Sequence, residues 1–445
     1  MNHWIAAPLL LPPLVGAVML ISLRHHLELA RVFSVASLTV LLGISGWLLI
    51  ESNTGIIQSY ELGAWPSPFG IVLVLDRLSA LMVALTAAIA LATVLYSIGS
   101  GWDRRGRHFH ALMQFQVLGL SGAFLTGDLF NLFVFFEVLL IASYGLMIHG
   151  AGKRRLKAGV QYVVYNLLGS TLFLFALGAI YAVTGTLNMA DLAERVAAIP
   201  DGNTALIRVA AVLLLLVFAV KSALIPLHFW LPATYAEAPG PVAALFAIMT
   251  KVGAYAIIRV FTLIFGASAP AMENLVPGFV MPAAMLTLAL GAIGVLGART
   301  LGRMAAMATI GSVGTLLVAA SAFTPAASAA ALYYLIHSTL AGAMLFLVVD
   351  LVRSGREGGD DSLTPAPPVA QAGLVASLYF AAVIAAAGLP PFSGFIGKLL
   401  VLDAMRPHHL AGAVWTLILL SSLVLLIGFA RAGIMVFWQT RNPET

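Results

Sequence analysis

Residues 221–260 read KSALIPLHFWLPATYAEAPGPVAALFAIMTKVGAYAIIRV. An apolar run, ALIRVAAVLLLLVFAV at 205–220, leads into Lys221 and is interrupted at Pro226 and Pro232. A second apolar run follows and carries Lys251 well inside it. A proline within a helix removes one backbone hydrogen bond and kinks the chain. A lysine at the centre of a bilayer costs about 2.5–3.5 kcal/mol on insertion scales. Non-helical backbone at membrane depth survives only where it is buried in protein or lines a water-filled cavity. The stretch therefore reads as a broken membrane helix followed by an unbroken one, both built around charges that need partners or water.

The rest of the chain agrees. Of its 445 residues, 61% are hydrophobic and 9% charged, against about 25% charged in soluble domains. Such a chain cannot clothe a water-exposed surface, which excludes a soluble enzyme, a nucleic-acid binder and a disordered scaffold. The absence of cysteine removes disulfides, iron–sulfur clusters and Cys-ligated zinc, so redox chemistry says nothing of the compartment. With no nucleotide-binding glycine motif either, a self-contained redox enzyme is disfavoured.

A membrane helix needs about 20 mostly apolar residues. That ruler gives about thirteen spans, at 4–23, 30–50, 72–98, 109–126, 128–148, 158–183, 205–225, 241–265, 276–297, 301–320, 327–351, 370–402 and 410–438. The first lacks a basic n-region and a cleavage site, so it reads as a helix and not a signal peptide. The most polar break, Arg353–Pro368, reads as an exposed loop. Odd-numbered loops hold fourteen Lys and Arg, including Arg24, Arg31, Arg104, Arg107 and Arg441, whereas even-numbered loops hold only Arg195 and Arg406. The positive-inside rule then makes the odd loops cytoplasmic and puts the N-terminus on the other side. The net charge of +5 is thus a topology signal, spread over many loops, and not a nucleic-acid patch.

Seven basic residues remain within spans or at their ends. Arg77, Arg208 and Arg259 are close enough to helix ends to snorkel to the headgroups, and Arg431 has no assignment. Lys221, Lys251 and Lys398 are different, since the chain has only five lysines and three of them lie inside apolar segments. Arginine keeps its charge almost everywhere, while a desolvated lysine can release its proton near neutral pH. A proton pathway needs groups that switch. The alternative is a set of interhelical ion pairs that only hold the bundle together.

Glu137, in DLFNLFVFFEVLLIASYG, is the one acidic residue well inside a span. With Lys221 or Lys251 it forms a candidate switchable pair, in which the protonation of one changes that of the other. His337, in YYLIHST, can relay protons near neutral pH, although a lone histidine on an apolar helix is more often a packing residue. A second broken span runs GLPPFSGFIGK over 388–398, with Pro390, Pro391 and Gly394 ahead of Lys398. Interruptions at matching positions of two halves point to an inverted-repeat transporter. Spans four to eight (109–270) and nine to thirteen (271–438) pair in this way, after an N-terminal three-helix segment (1–108) and before a tail (439–445). No acidic cluster resembles a Na⁺ cage; Asp128, Asp350 and Asp403 sit near span ends. No metal site, catalytic residue or cofactor is expected.

The strings at 128–150, 221–260, 333–352 and 388–402 resemble the proton-conducting antiporter family. That family includes the large subunits of multisubunit Mrp-type cation/proton antiporters and the antiporter-like subunits of respiratory complex I. The wording FEVLLIASYG and HSTLAGAMLFL is most similar to the Mrp D-type subunits. The resemblance implies an all-α integral membrane fold with two inverted five-helix repeats, each holding a broken helix, and fourteen helices where this chain shows thirteen. It implies a glutamate–lysine pair at Glu137 and Lys221, a central relay lysine at Lys251, a terminal lysine at Lys398, the histidine of the eleventh helix at His337, and an accessory histidine at His228 beside Pro226. It also implies a secondary transporter subunit of a bacterial inner membrane. Its expected partners are a related large subunit, several small membrane subunits, lipid, H⁺ and Na⁺ or K⁺, with no nucleic acid. One departure matters. Many relatives place a lysine four residues after the histidine, where this chain has Ala341, so a relay there must use His337, hydroxyls or water.

Overall fold

The computed structural model describes residues 2–200, 204–266 and 275–439. Arg441 and the tail beyond Gln439 lie outside the described residues. The expected membrane spans appear as α1 (Ala7–Ile21), α2 (Leu27–Ser52), α3 (Arg77–Ser100), α4 (Phe109–Leu125), α5 (Leu129–Met147) and α6 (Lys153–Thr184). A short helix α7 (Met189–Ala197) precedes α8 (Ala205–Ser222), α9 (Leu231–Glu237) and α10 (Gly240–Leu263). The chain continues through α11 (Leu275–Gly297), α12 (Leu301–Ala320), α13 (Pro325–Ser354), α14 (Ala372–Ala387), α15 (Ser393–Ala404) and α16 (Ala411–Phe437). Eleven of the described helices are long and apolar enough to cross a membrane, with α4 and α14 as shorter apolar helices. This is an all-α, multi-pass membrane protein.

Helix starts follow from local chemistry. Asp76 accepts from the Ser79 amide at 2.8 Å while the Ser79 hydroxyl accepts from the Asp76 amide at 2.9 Å, a reciprocal cap that opens α3. Asp128 caps α5 through the Asn131 amide, and Thr324 caps α13 ahead of Pro325. The aspartate near the start of the fifth span is therefore a helix cap.

Both expected breaks are present. The seventh span stops at Ser222, runs non-helically past Pro226 and resumes as α9. Within the break the Ile225 amide, which a continuous helix would have bonded, donates to the Thr287 hydroxyl at 2.9 Å. The twelfth span is split into α14 and α15, with the Leu389 amide returning to the Ile384 carbonyl at 3.1 Å. Gly388 closes α14 in the left-handed region, φ +78°, and a Cβ there would meet Lys398 Cδ at 2.7 Å.

Four sequence expectations need correction. Residues Val72–Leu75 are not helical but form β2, antiparallel to β1 (Gln58–Glu61). Their alternating β-branched residues suit a strand, and the capping Asp76 starts the helix only afterwards. Arg259 does not snorkel: its guanidinium forms a two-pronged ion pair with Asp76, one contact at 2.8 Å. Arg31 is not a loop cation but lies within α2, buried, with Nε 2.6 Å from Asp103 Oδ2. The segment after α13 is pinned as well as exposed, because Asp361 binds Arg353 and accepts from the Gly302 amide, each at 2.7 Å. Arg431 gains an assignment, donating to the Leu296 carbonyl at 2.6 Å near the end of α11.

The described residues fall into two compact units, one within Met1–Lys221 and Tyr255–Glu273, the other within Ser222–Ala254 and Asn274–Thr445. Compactness and internal symmetry are different properties, so this division does not bear on the expected repeat.

Candidate functional site

In the first unit, α5, α6 and α8 carry Glu137, its neighbours and Lys221. The wall beneath is aromatic: Phe136, Phe173 and Phe218, all buried, meet with ring centroids 5.6–6.3 Å apart. Glu137 and Lys221 are not in a contact ion pair. Each is held instead by α6. The Ser170 hydroxyl donates to Glu137 Oε1, and Lys221 Nζ donates to Asn166 Oδ1 at 3.3 Å. Asn166 is fixed in turn, its amide donating to the Tyr162 carbonyl at 2.9 Å. Asn166 and Ser170 stand four residues apart, hence on one face of α6. Lys221 also sits in the last turn of α8, where the unpaired carbonyls favour a cation.

In the second unit, Lys251 on α10 is fully buried. Its ammonium donates to the Ser312 hydroxyl on α12 at 3.0 Å, and Ser312 donates its own proton to the Thr309 carbonyl at 2.7 Å. His337 on α13 makes a 2.9 Å hydrogen bond through Nδ1 with the hydroxyl of Ser393, the first residue of α15. Lys398 donates to the Ala387 carbonyl and to the Ser422 hydroxyl on α16, both at 2.7 Å. Ala387 is the last residue of α14, so Lys398 caps the half-helix that precedes its own. Gly394 makes room for this packing: a Cβ there would lie 2.7 Å from His337 Nε2 and against the Ala385 carbonyl.

A cavity of about 30 Å³ is lined by Ser312, Thr309, Tyr334, His337, Ser338 and Lys398 among others. A water requires about 10–15 Å³ of such space and two to four polar partners, so the cavity has room for about two. Ala341 lines it too. Ala341 thus borders space that polar groups surround.

Among the described residues none of the three lysines is in an ion pair. Their partners are neutral oxygens. A hydrogen bond from a charged group contributes about 1.5–3 kcal/mol, similar to the insertion cost of about 2.5–3.5 kcal/mol. Lys398, with two short bonds, is well compensated as a cation; Lys221, with one bond at 3.3 Å, is the least. Glu137, though not in contact with Lys221, still acts on it electrostatically. His228 stands apart: half-buried in the seventh-span break, packed against Phe229, with Nδ1 buried and without a hydrogen-bond partner among the described residues.

Sequence reasoning missed Asn166, Ser170, Ser312, Ser393 and Ser422. Their signal is faint, small polar side chains in apolar runs, and only the fold shows which of them turns to a charge.

A family model described as "NADH:quinone oxidoreductase/Mrp antiporter, TM" matches residues 126–428. The chain is 43% identical to a Rhizobium meliloti protein named as the D-type subunit of a probable K(+)/H(+) antiporter, over 99% of this chain and 88% of that one. It is 41% identical to a Bacillus subtilis protein named as the D-type subunit of a Na(+)/H(+) antiporter, over 100% of this chain and 90% of the relative. Its fold is similar to a chain of the Mrp complex from Dietzia sp. DQ12-45-1b, with TM-score 0.90 and 29% identity, covering 100% of this chain and 81% of that one. The matched region contains Glu137, all three buried lysines and both broken helices. The chain belongs to the NADH:quinone oxidoreductase/Mrp antiporter membrane-subunit family.

Proposed function

We propose that this chain is the proton-translocating D-type subunit of a multisubunit monovalent cation/proton antiporter. It works with a related large subunit and several small membrane subunits in a bacterial inner membrane, its N-terminus on the non-cytoplasmic side. Protons load at Glu137 and Lys221, are relayed through Lys251 and His337, and leave under the control of Lys398. Exchange for Na⁺ or K⁺ drives the cycle. Residues 109–270 and 271–438 act as inverted five-helix repeats, each contributing one broken helix. His228 has an accessory part at the first break.

One observation supports this reading above the others. The charges buried in the second unit lie against hydroxyls and a water-sized cavity, not against carboxylates. Such surroundings tolerate both the charged and the neutral lysine, as a relay requires and a structural ion pair does not. At the site of Ala341, water in the cavity takes the place of the lysine that many relatives carry.

The family model also covers components of NADH:quinone oxidoreductase, which suggests a second reading: a proton-pumping subunit powered by electron transfer elsewhere. The test uses everted vesicles from an antiporter-deficient bacterium that expresses the complete gene cluster. Respiration builds a proton gradient, and Na⁺ or K⁺ is then added. Collapse of the gradient on adding cation supports the antiporter; no response from the intact complex transfers the proposal to the redox-driven pump. Gene neighbours separate the two independently, small antiporter subunits in one case and quinone or iron–sulfur subunits in the other.

A further inference from the structure

Where α1 ends and α4 begins, a pocket of about 180 Å³ opens in the first unit. Its mouth carries Arg24, Arg104 and Arg107, with His25 and His108 beside them, all exposed. None of these five has a side-chain hydrogen bond or ion pair among the described residues. Its floor is apolar, formed by Met19, Ala30 and Ala111, which pack together. The chain outside is apolar too, with Ile21 and Leu29 exposed at 78% and 47%, as expected beside acyl chains.

The one carboxylate in the lining, Asp103, is already neutralised. It receives Arg31 through contacts of 2.6 and 3.0 Å, and His110 Nε2 at 3.2 Å. Among the described residues, the three arginines at the mouth have no anion. His110 also lines the pocket. It is only 3% exposed, and its Nδ1 has no hydrogen-bond partner among the described residues. With Nε2–H committed to Asp103, Nδ1 of the neutral ring is an acceptor, so the pocket is polar at this point and has room for a donor such as water. The start of α4 adds donors, because His108 gives its first turn no side-chain cap. Uncapped N–H groups at a helix start favour an anion.

We propose that this pocket binds a phosphate group, carried by an anionic phospholipid or free in solution. The arginines hold the phosphate oxygens at the mouth, and the first-turn amides of α4 add donors to the shell. When the phosphate belongs to a lipid, the apolar floor and flanking helices accommodate its glycerol and acyl chains. Basic pockets between membrane helices suit anionic headgroups in this way. This inference does not rest on the transport reading.

The test uses the purified whole complex in nanodiscs containing phosphatidylglycerol or phosphatidylcholine, with bound lipid counted by native mass spectrometry. Wild-type complex should retain phosphatidylglycerol and not phosphatidylcholine. Replacing all three mouth arginines by glutamine should lower retention by roughly tenfold or more, whereas replacing them by lysine should keep most of it. Arg208→Gln, on a cation of α8 that does not line the pocket, should change nothing. All these positions are on the surface, so the variants should assemble. Displacement of the lipid by inorganic phosphate alone would assign the site to free phosphate. Equal retention in wild type and the glutamine variant, or equal retention of both lipids together with no binding of inorganic phosphate, would overturn the proposal.

Discussion

Lys398 reaches back across the break in its own span to the carbonyl of Ala387, 2.7 Å away, at the end of the preceding half-helix. The last carbonyls of a helix lack partners and carry its negative dipole end. The ammonium therefore satisfies an acceptor that the break itself created. Losing the proton leaves one of three N–H donors missing, and Ser422 can retain a hydrogen bond to the remaining amine. The break and the lysine act together, so neither is a simple kink or a stray charge.

Lys398→Met removes that cap and the switch together. Proton flux should fall by about a hundredfold, the scale of losing a positioned proton-transfer group. Complex abundance should stay within roughly twofold of wild type. Cation-driven gradient collapse in everted vesicles, normalised to protein content on immunoblots, measures both. Loss of the complex with normal flux per copy would mean that the lysine is structural.

Asn166 and Ser170 on α6 hold the Glu137 and Lys221 side chains without pairing them directly. Asn166→Ala leaves Lys221 without its hydrogen bond, and Ser170→Ala leaves Glu137 without its donor. Each should slow transport by roughly tenfold, since a hydrogen bond to a charged group contributes about 1.5–3 kcal/mol. The double variant should lose less than the product of the two single losses, because both residues serve one pair. Strict additivity of the logarithms would show that they act independently.

Ala341 borders the cavity near His337 and Ser312. Ala341→Leu fills the space and should reduce flux while costing about 1–3 kcal/mol in stability through overpacking. Ala341→Ser nearly keeps the volume and adds a hydroxyl, and should transport normally. Thermal melting of the purified complex and vesicle assays read the two effects separately. Equal flux in both variants would mean that the cavity is not on the route.

Asp103 gives a pH-dependent prediction away from the candidate relay residues. Burial by itself would push its carboxyl up, but hydrogen bonds from Arg31 and His110 outweigh this and hold it below the usual carboxylate range. Its folded value is lowered, so its contribution is fully present above the unfolded value of about 3.9 and lost as pH falls through the depressed one. Asp103→Asn should destabilise the complex at neutral pH by about 3–5 kcal/mol, because it leaves Arg31 buried without its main partner. The difference from wild type should shrink only in strong acid. Melting curves across pH check the sign.

The sequence made the large features legible because each has a one-dimensional signature. Apolar length marks the spans, Pro226 and Pro390–Pro391 mark the breaks, and lysines in apolar runs mark the candidate relay. What it concealed depends on contacts between distant positions. Arg259 reads as a helix-end cation until Asp76, 183 residues away, is brought beside it. Val72–Leu75 reads as the start of a span because an apolar strand and an apolar helix end look alike over four residues. Asn166, Ser312 and Ser422 are unremarkable as letters; they matter because α6, α12 and α16 turn them toward lysines.

Lys251→Arg separates a switching relay from a fixed charge. Arginine keeps the positive charge and can still donate to Ser312, but it does not release its proton. The measurement is cation-driven proton release in everted vesicles from wild type and Lys251→Arg at equal complex abundance. A relay of switching lysines predicts that the variant assembles and that its flux disappears. Wild-type flux in Lys251→Arg would contradict it, showing that a fixed positive charge at this position is enough.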